Sequence, residues 1–171
     1  MDLKSELGRN NDFTSLESEI LFSSIYLSKC ITRISLDFFA TFDYKDESGK
    51  KLKLTDMQFN ALMILKDRTG EETLQTELSE RLLINKSSTG VLLDKLEERG
   101  WITRKAKDRR ANIISISQIG LKLLEEVSPL LDQQCKEMLK GFKQSEKTEL
   151  LAYINQYRSQ IKKANQELLD K

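Results

Sequence analysis

Apolar residues recur at helical spacing along most of the chain, and the first long stripe of them opens at Leu16. Its members follow one another at steps of three, four or seven residues, which is the period of one face of an α-helix. They are Leu16, Ile20, Leu27, Ile31, Ile34, Phe38 and Phe42. This spacing predicts a helix of about eight turns, and Thr14-Ser15-Leu16-Glu17 at its start predicts a capping box. Residues 43–53 carry charges and Gly49, so we expect a loop there.

Two shorter helices are predicted next. Thr55 and Gln58 stand three residues apart, which indicates a second capping box and a helix that stops near Gly70. A third helix is predicted over residues 75–83. Its inward positions are expected to be Leu78, Leu82 and Leu83.

The pattern changes from helix to strand around Gly100. Asn85 is a favourable N-cap for a fourth helix, and Gly100 supplies the left-handed residue that ends it. Residues 101–105 and 112–117 have the composition of two short strands, which a basic loop joins as a hairpin. The pattern therefore predicts a mainly α fold with one small β-hairpin.

The C-terminal third predicts two further helices. Ser117 is expected to cap the fifth, and Pro129 to kink it, because proline removes a backbone hydrogen bond. The apolar positions of the fifth helix are Leu121, Leu124, Val127, Leu131 and Met138. The sixth starts near Ser145 and carries Leu150, Ile154, Tyr157, Ile161 and Leu168.

Composition excludes several kinds of active site. The 171 residues include 28 Lys or Arg and 27 Asp or Glu, which gives a net charge of +1, and no histidine. Without histidine, neither a Ser-His-Asp or Cys-His nucleophile nor an HExxH metal site can be built. The seven glycines form no phosphate-binding loop. We therefore expect no enzyme activity, no metal and no cofactor.

Cysteine usage and hydropathy bear on location. Cys30 and Cys135 lie far apart without a CxxC spacing, so neither a disulfide framework nor a thiolate zinc site is implied. Residues 1–12 are polar, and no apolar run approaches the roughly 20 residues that a membrane span needs. These features lead us to expect a cytoplasmic protein without membrane contact.

A cluster of basic residues lies in the predicted hairpin. Between Trp101 and Asn112 there is one acid, Asp108, and the five cations are Arg104, Lys105, Lys107, Arg109 and Arg110. Such a cluster on an otherwise balanced chain is an electrostatic signal for phosphate. Taken alone, the cluster favours an ordinary solvated loop, and only a supporting fold would favour phosphate binding.

The fourth helix has two faces of different composition. One face carries Thr89, Leu92, Leu93 and Leu96 and must pack on the core. The other presents Ser87, Gly90, Val91 and Asp94, with Lys86 and Ser88 in the first turn. Small and polar side chains let a helix approach base-pair edges closely, and Ser and Lys can donate to bases or phosphates. An amphipathic surface helix without a ligand is the alternative.

At the hairpin tip, a protruding arginine can enter a minor groove while neighbouring lysines hold phosphate. We interpret Asp108 as a brace that pairs with Arg110 and leaves Arg109 to reach DNA, although the two arginines can exchange these roles. Two helices and a hairpin thus predict a winged helix-turn-helix lobe that binds double-stranded DNA. The predicted contacts are Lys86, Ser87, Ser88, Gly90, Val91, Lys105, Lys107, Arg109 and Arg110.

Several motifs of this region resemble those of one family. They are Glu77-Leu78-Ser79, Asn85-Lys86-Ser87-Ser88, Leu93-Asp94-Lys95-Leu96-Glu97-Glu98-Arg99-Gly100-Trp101-Ile102-Thr103-Arg104, Asp108-Arg109-Arg110, Ile114-Ser115-Ile116-Ser117 and Gly120. Through them, the stretch from Leu54 to Gly120 resembles the multiple-antibiotic-resistance regulator (MarR) family. Gly90 and Val91 depart from the family, which more often has Thr and Arg there.

The resemblance implies a single MarR-like domain over residues 1–171 that works as a homodimeric transcription regulator. Residues 54–117 would form the winged lobe, and the N- and C-terminal helices, residues 13–45 and 118–171, a helical dimerisation region. Each lobe would read half of a pseudo-palindromic operator, and we expect a repressor. A partner chain would cover the apolar stripes of the terminal helices.

The resemblance also implies two modes of regulation. Members of the family often bind small aromatic or amphipathic effectors, and some sense oxidants through a cysteine on the first helix. The expected pocket residues, each of which also fits a core position, are Tyr26, Arg33, Phe38, Phe39, Met57 and Phe59. Cys30 is the candidate redox residue, with a buried structural thiol as the alternative. A winged module that binds an acidic protein instead of DNA is a further alternative.

Overall fold

The computed structural model describes residues 2–42, 44–45, 49, 51–107 and 112–169, without the side chains of residues 52 and 169. It divides into two compact units, Met1–Leu121 and Lys122–Lys171. The helices are α1 (Leu3–Glu6), α2 (Leu16–Thr41), α3 (Asp56–Asp67), α4 (Gln75–Leu82), α5 (Lys86–Glu98), α6 (Gln118–Met138) and α7 (Gln144–Leu169). The strands are β1 (Tyr44–Lys45), β2 (Lys51–Leu52), β3 (Thr73–Leu74), β4 (Ile102–Ala106) and β5 (Asn112–Ile116).

Three strands form an antiparallel sheet in the order β3-β5-β4. Thr73 pairs with Ile114 across β3 and β5, and Ile102 pairs with Ile116 across β4 and β5. The β4–β5 pair is the predicted hairpin. Helix α4 packs against both α3 and α5, and all three helices pack on this sheet. The predicted fold class, mainly helical with a small sheet, is therefore confirmed.

The core of the first unit lies between α3, α4, α5 and the sheet. Its apolar side chains come from every one of these elements, together with one aromatic residue of α2. They are Phe39, Leu54, Phe59, Ala61, Leu62, Leu65, Leu78, Leu92, Leu93, Leu96, Trp101, Ile102 and Ile114. Burial of this much apolar surface provides the main driving force for folding of the unit.

Most predicted helix starts are confirmed by their caps. Thr55 and Gln58 form a reciprocal capping box at α3. The Asn85 side chain accepts a hydrogen bond from the Ser88 backbone N–H at 2.8 Å. At α2, however, the cap is Ser15, which accepts from Ser18 N at 3.1 Å. The expected capping box from Thr14 is therefore wrong by one residue, because the helix begins one position later.

Several short elements were not predicted from the sequence. α1 is a single turn, and β1 and β2 pair across residues 44–52, where we expected only a loop. Tyr44 of β1 stacks edge-on against the buried Trp101, with ring centroids 6.1 Å apart. Each of these strands has two residues, which is too few for an alternating pattern to show in the sequence.

Leu83 differs from its prediction. We expected it to point inward with Leu78, but its side chain is 86% exposed, whereas Leu78 is fully buried. Leu83 is the C-cap of α4 and has the left-handed dihedrals φ 54° and ψ 38°. The helix ends at Leu82, so its period no longer places Leu83 on the buried face.

Gly120 lies in the first turn of α6 against the end of the hairpin. A Cβ atom at this position would lie 2.3 Å from the Trp101 carbonyl oxygen and 2.9 Å from Ile116 Cγ1. Ser117 caps the same turn, as predicted: its hydroxyl accepts from Gly120 N at 3.0 Å and donates to the Gly100 carbonyl at 2.5 Å. The helix therefore approaches the sheet so closely that only glycine fits.

The terminal helices carry apolar side chains on their surfaces. Of the stripe predicted on α2, Phe38 and Phe42 are half-buried and the other members are exposed. In the second unit, Leu150, Ile154, Ile161 and Leu168 of α7 are exposed, and Tyr157 is half-buried. Pro129 lies inside α6, and the kink expected there stays a prediction.

Candidate nucleic-acid interface

Helix α5 separates a buried face from an exposed one. Thr89, Leu92, Leu93 and Leu96 are buried, as their spacing predicted. On the other side, Lys86, Ser87, Ser88, Val91 and Asp94 are exposed and Gly90 is half-buried. The exposed face is thus small and polar over its first turn and a half, a surface that can come close to a flat or concave partner.

A buried polar contact fixes the crossing of α4 and α5. The hydroxyls of Ser79 and Thr89 lie 2.8 Å apart in the core. Ser79 Oγ also lies 2.8 Å from the Gln75 carbonyl, and Thr89 Oγ1 lies 3.0 Å from the Asn85 carbonyl. Two hydroxyl protons serve these three contacts, so each hydroxyl keeps a partner in either arrangement. Such a satisfied contact holds the two helices of the helix-turn-helix in one geometry.

Arg99 ties the end of α5 to the start of α3. Its Nη1 donates to the Lys53 carbonyl at 2.6 Å and to Gln58 Oε1 at 3.0 Å. Its guanidinium carbon lies 4.8 Å from the centre of the Trp101 ring, a cation–π distance. Burial lowers the pKa of the Arg99 guanidinium below its ordinary value. The start of α5 is therefore held through Thr89 and its end through Arg99, by contacts that the sequence pattern alone did not predict.

Arg68 makes a similar connection between α3 and α4. Its Nη2 lies 2.8 Å from Glu77 Oε1 and 2.9 Å from Glu71 Oε2. Its Nε donates to Thr73 Oγ1 of β3 at 3.1 Å. A hydrogen bond from Arg81, with added attraction to Arg68 and Arg81, lowers the pKa of the Glu77 carboxyl. The helix-turn-helix therefore rests on a polar network as well as on its apolar core.

The hairpin carries the predicted basic cluster beside α5. Lys105 and Lys107 are exposed. The Lys107 ammonium lies 2.6 Å from Glu72 Oε2, just before β3. Asp108, Arg109 and Arg110, the predicted brace and groove contacts, lie outside the described residues. Their roles stay predictions.

Arg104 connects the hairpin to α5, which sequence reasoning missed. Its Nη2 donates to Asp94 Oδ1 at 2.6 Å, and its Nε lies 3.2 Å from Glu97 Oε2. Asp94 and Glu97 are three residues apart on one side of the helix, so one guanidinium reaches both. The spacing of the two acids was visible in the sequence, but their common partner depends on how β4 packs on α5.

The predicted effector-pocket residues are only partly brought together. Phe39 and Phe59 are buried with ring centroids 5.6 Å apart, and Phe38 lies edge-on to Phe39 at 5.1 Å. Met57 is half-buried and Arg33 exposed. Tyr26 lies three turns before Phe38 on the same helix, and a hydrogen bond to Glu6 raises the pKa of its hydroxyl. Phe39 and Phe59 therefore belong to the core.

Two cavities in the described structure are not lined by this aromatic cluster. One of about 470 Å³ borders α4 and the start of α5, and another of about 190 Å³ lies between the end of α3 and β5. Neither is lined by any of the six predicted pocket residues. The pocket assignment stays a prediction.

Both cysteines are free thiols. Cys30 is half-buried on α2 and Cys135 is exposed. Within the described ranges, no three Cys, Asp or Glu side chains are grouped as metal ligands. The redox role of Cys30 stays a prediction, which alkylation kinetics on the folded protein would test: a rate no faster than that of a buried thiol contradicts it.

Comparison with known proteins agrees with this geometry. A sequence model of the MarR family matches residues 52–111. The HTH-type transcriptional regulator PecS of Dickeya dadantii is 30% identical over 112 residues, which cover 64% of this chain and 68% of that protein. An uncharacterized HTH-type transcriptional regulator of Bacillus cereus is 31% identical over 122 residues, which cover 61% of this chain and 81% of that protein.

The chain belongs to the MarR family. A solved structure with the same fold is the MepR–DNA complex of S. aureus, which has a TM-score of 0.68 at 20% identity and covers 80% of this chain and 96% of that one. This MarR-family protein is a DNA-binding transcription regulator and not an enzyme, which confirms those two expectations. Membership also decides against a winged module that binds only protein. Among the described residues, no helix of this MarR protein is long and apolar enough to cross a membrane.

Proposed function

We propose that this MarR-family regulator is a homodimeric repressor that binds a pseudo-palindromic operator with one α5 helix in each major-groove half-site. The observation that carries the proposal is the outward face of α5. It presents Lys86, Ser87 and Ser88 in the first turn, and the opposite face is buried in the core. A helix held rigidly from behind and lined with short donors in front is suited to reading base edges.

The first turn of α5 supplies the proposed polar contacts. Asn85 is occupied by its capping bond to Ser88 N, so it caps the helix and is not assigned to a base. The hydroxyls of Ser87 and Ser88 can donate or accept, and Lys86 adds a positive charge at the helix end whose dipole favours phosphate. We assign base reading to the serines and phosphate contact to Lys86.

The second turn supplies the proposed close approach. Gly90 has no side chain and Val91 is exposed, so the helix presents a shallow apolar surface there. An apolar side chain at this depth of the major groove can contact a thymine methyl group. We therefore assign Gly90 to close approach and Val91 to a thymine contact.

The hairpin is the proposed second contact. Lys105 and Lys107 would hold phosphates beside the half-site, and Arg109 or Arg110 would enter the minor groove with Asp108 as the brace. The support for this assignment is the position of the hairpin root, which is linked directly to α5 through Arg104. Residues 54–117 would thus form the DNA-binding lobe.

Homodimerisation through residues 13–45 and 118–171 is proposed from the exposed apolar stripes. Large side chains of α2 and α7, such as Ile31 and Ile161, are about half exposed in the single chain. Large apolar side chains exposed along a helix are typical of an interface, and each of these two helices carries several. A two-fold symmetric dimer would present two α5 helices to a two-fold symmetric operator.

The proposal has two further parts: the dimer represses transcription, and a small effector releases it from DNA. A dimer seated on an operator blocks other proteins from that stretch of DNA. For release, we propose a small aromatic or amphipathic effector that contacts Phe38 and Met57, because these half-buried side chains offer apolar surface. Arg33 is exposed and lies five residues before Phe38, on a different side of α2, so it is not assigned to the same contact. The remaining pocket candidates, Tyr26, Phe39 and Phe59, are assigned supporting roles. A thermal-shift series with small aromatic compounds tests this: no shift with wild type, or the same shift with Phe38→Ala, contradicts it.

Selection of bound duplexes from a random pool tests the proposed function as a whole. We expect a two-fold symmetric consensus and an affinity that falls steeply with salt, since several phosphates are neutralised. An asymmetric consensus would contradict the homodimer, and enrichment of no sequence would contradict base reading by α5.

A further inference from the structure

The link between the hairpin and α5 places two carboxylates on the helix that we assign to DNA. Asp94 lies on the outward face of α5 and its side chain is 71% exposed, and Glu97 follows one turn later. DNA is a dense row of negative phosphates, so a carboxylate here would weaken binding by repulsion if it acted through its charge alone. Two such groups near the contact surface therefore need a physical reason.

The geometry of Arg104 supplies that reason. Its side chain is only 17% exposed, and it contacts both acids, at 2.6 Å from Asp94 and 3.2 Å from Glu97. Arg104 sits in the middle of β4, opposite Ile114 of β5. The contact with Asp94 is a hydrogen bond, whereas the contact between Nε and Glu97 is an ion pair without hydrogen-bond geometry. A guanidinium held between two carboxylates by one hydrogen bond and one ion pair has less rotational freedom than a lysine ammonium with a single contact. The ion pair thus fixes the hairpin root against one side of α5.

We propose that Asp94 and Glu97 promote operator binding by holding Arg104, and through it the hairpin, at the angle to α5 that lets both elements contact DNA together. This inference rests on the proposed DNA interface and adds three positioning residues to it: Arg104, Asp94 and Glu97. Arg104 thus serves as a strut, that is, a rigid link between α5 and the hairpin. The phosphate contacts of the hairpin are assigned to residues that follow Arg104 in the chain.

The proposal predicts a change in operator affinity that is opposite in direction to the change expected from charge repulsion alone. Asp94→Asn with Glu97→Gln removes two negative charges from the DNA-binding helix, which by repulsion alone should tighten binding. Loss of the strut should instead weaken binding to the selected operator by roughly tenfold, because the hairpin contact is no longer aligned with the helix contact. Binding to unrelated duplexes should not weaken, because that mode depends on charge more than on alignment.

Glu98→Gln is the matched control, since it removes one carboxylate from the same helix, one turn beyond Asp94, without touching the ion pair. Its operator affinity should equal that of wild type or rise slightly. Arg104→Lys is the second test variant: it keeps the positive charge but cannot reach both acids in the same way, and we expect roughly a threefold loss for the operator.

The experiment measures operator and non-operator affinities of these variants over a salt series, and repeats the random-pool selection with the double variant. We expect its consensus to keep the positions read by α5 and to lose preference in the flanks that the hairpin contacts. Operator binding by the double variant as tight as wild type, or tighter, would overturn the proposal. Operator binding by Arg104→Lys with wild-type affinity would overturn the proposal as well. This variant therefore tests the proposal even if the double variant does not fold. Failure of the proposed function would show differently, as the absence of any operator for wild type.

Discussion

The winged lobe buries large apolar side chains that helices α2 and α7 leave exposed. In the lobe, Leu62, Leu93 and Trp101 are fully buried, and hydrogen bonds between side chains connect α5 to α4 and to α3. On α2 and α7, residues of the same size, such as Ile31 and Ile161, are about half exposed. The lobe therefore has its own core, whereas α2 and α7 present apolar surfaces suited to a second chain.

The largest expected effect comes from the terminal helices. Ile161→Lys places a charge in the proposed dimer interface, and the change occurs twice in a symmetric dimer. Loss of apolar burial alone costs about 1.5–3 kcal/mol per side chain, so the dimer dissociation constant should rise by two orders of magnitude or more. Sedimentation equilibrium measures this. Lys163→Ala, two residues away, is the control and should leave the dimer intact; a dimer unaffected by Ile161→Lys would contradict the interface.

A second prediction concerns the self-contained core of the lobe. Gly120→Ala forces a Cβ atom to within 2.3 Å of the Trp101 carbonyl oxygen. Backbone must move to relieve this overlap, so we expect a loss of about 3 kcal/mol in the free energy of unfolding. Denaturant titration measures it. Gly141→Ala is the matched control, because nothing lies within 4 Å of its added carbon. Equal stability of the two variants would mean that α6 does not approach the sheet as closely as the structure has it.

Two substitutions in the lobe, one at Leu83 and one at Gly90, should raise the free energy of unfolding. Leu83 adopts a left-handed conformation that disfavours any side chain, and its own is 86% exposed. Leu83→Gly should therefore raise the free energy of unfolding by about 1 kcal/mol. Leu82→Gly, in the helix next to it, should lower it. A loss of stability in Leu83→Gly would show that the leucine side chain has a packing partner in the folded protein.

The smallest expected change in stability is at Gly90. A Cβ atom there would meet only Gln75 Nε2, at an ordinary 3.6 Å. Gly90→Ala should thus stabilise the helix by about 0.5–1 kcal/mol. The same methyl group would stand between α5 and the base edges, so operator affinity should fall roughly threefold to tenfold. A variant that is more stable and binds the operator as tightly as wild type would contradict close approach at this position.

Local patterns predicted the helices of the lobe well, because the helices span several turns and capping residues mark their ends. The capping pair Thr55 and Gln58, the cap Asn85 and the stop at Gly100 all lie where the sequence placed them. The missed strands, β1, β2 and β3, have two residues each; β1 and β2 pair with each other, and β3 depends on pairing with the distant β5. Leu83 was misplaced because helical spacing was extended one residue past the end of α4.

The candidate site was predictable where it depends on one helix face and not where it depends on tertiary contacts. The exposed set on α5 follows from spacing around Leu92, Leu93 and Leu96. The bonds from Arg99 to Gln58, 41 residues apart, and from Arg104 to the acids of α5 follow from packing that no local pattern encodes. Sequence reasoning grouped Arg104 with the hairpin cations, whereas the structure pairs it with Asp94 and Glu97.

A crystal structure of the dimer on its selected operator tests the central claim most directly. We expect Lys86, Ser87 and Ser88 to lie within about 3.5 Å of base edges or phosphates in a major groove, with the hairpin against the adjoining backbone. A complex in which the outward face of α5 is covered by protein, or in which α5 and the hairpin contact unrelated parts of the duplex, would contradict it.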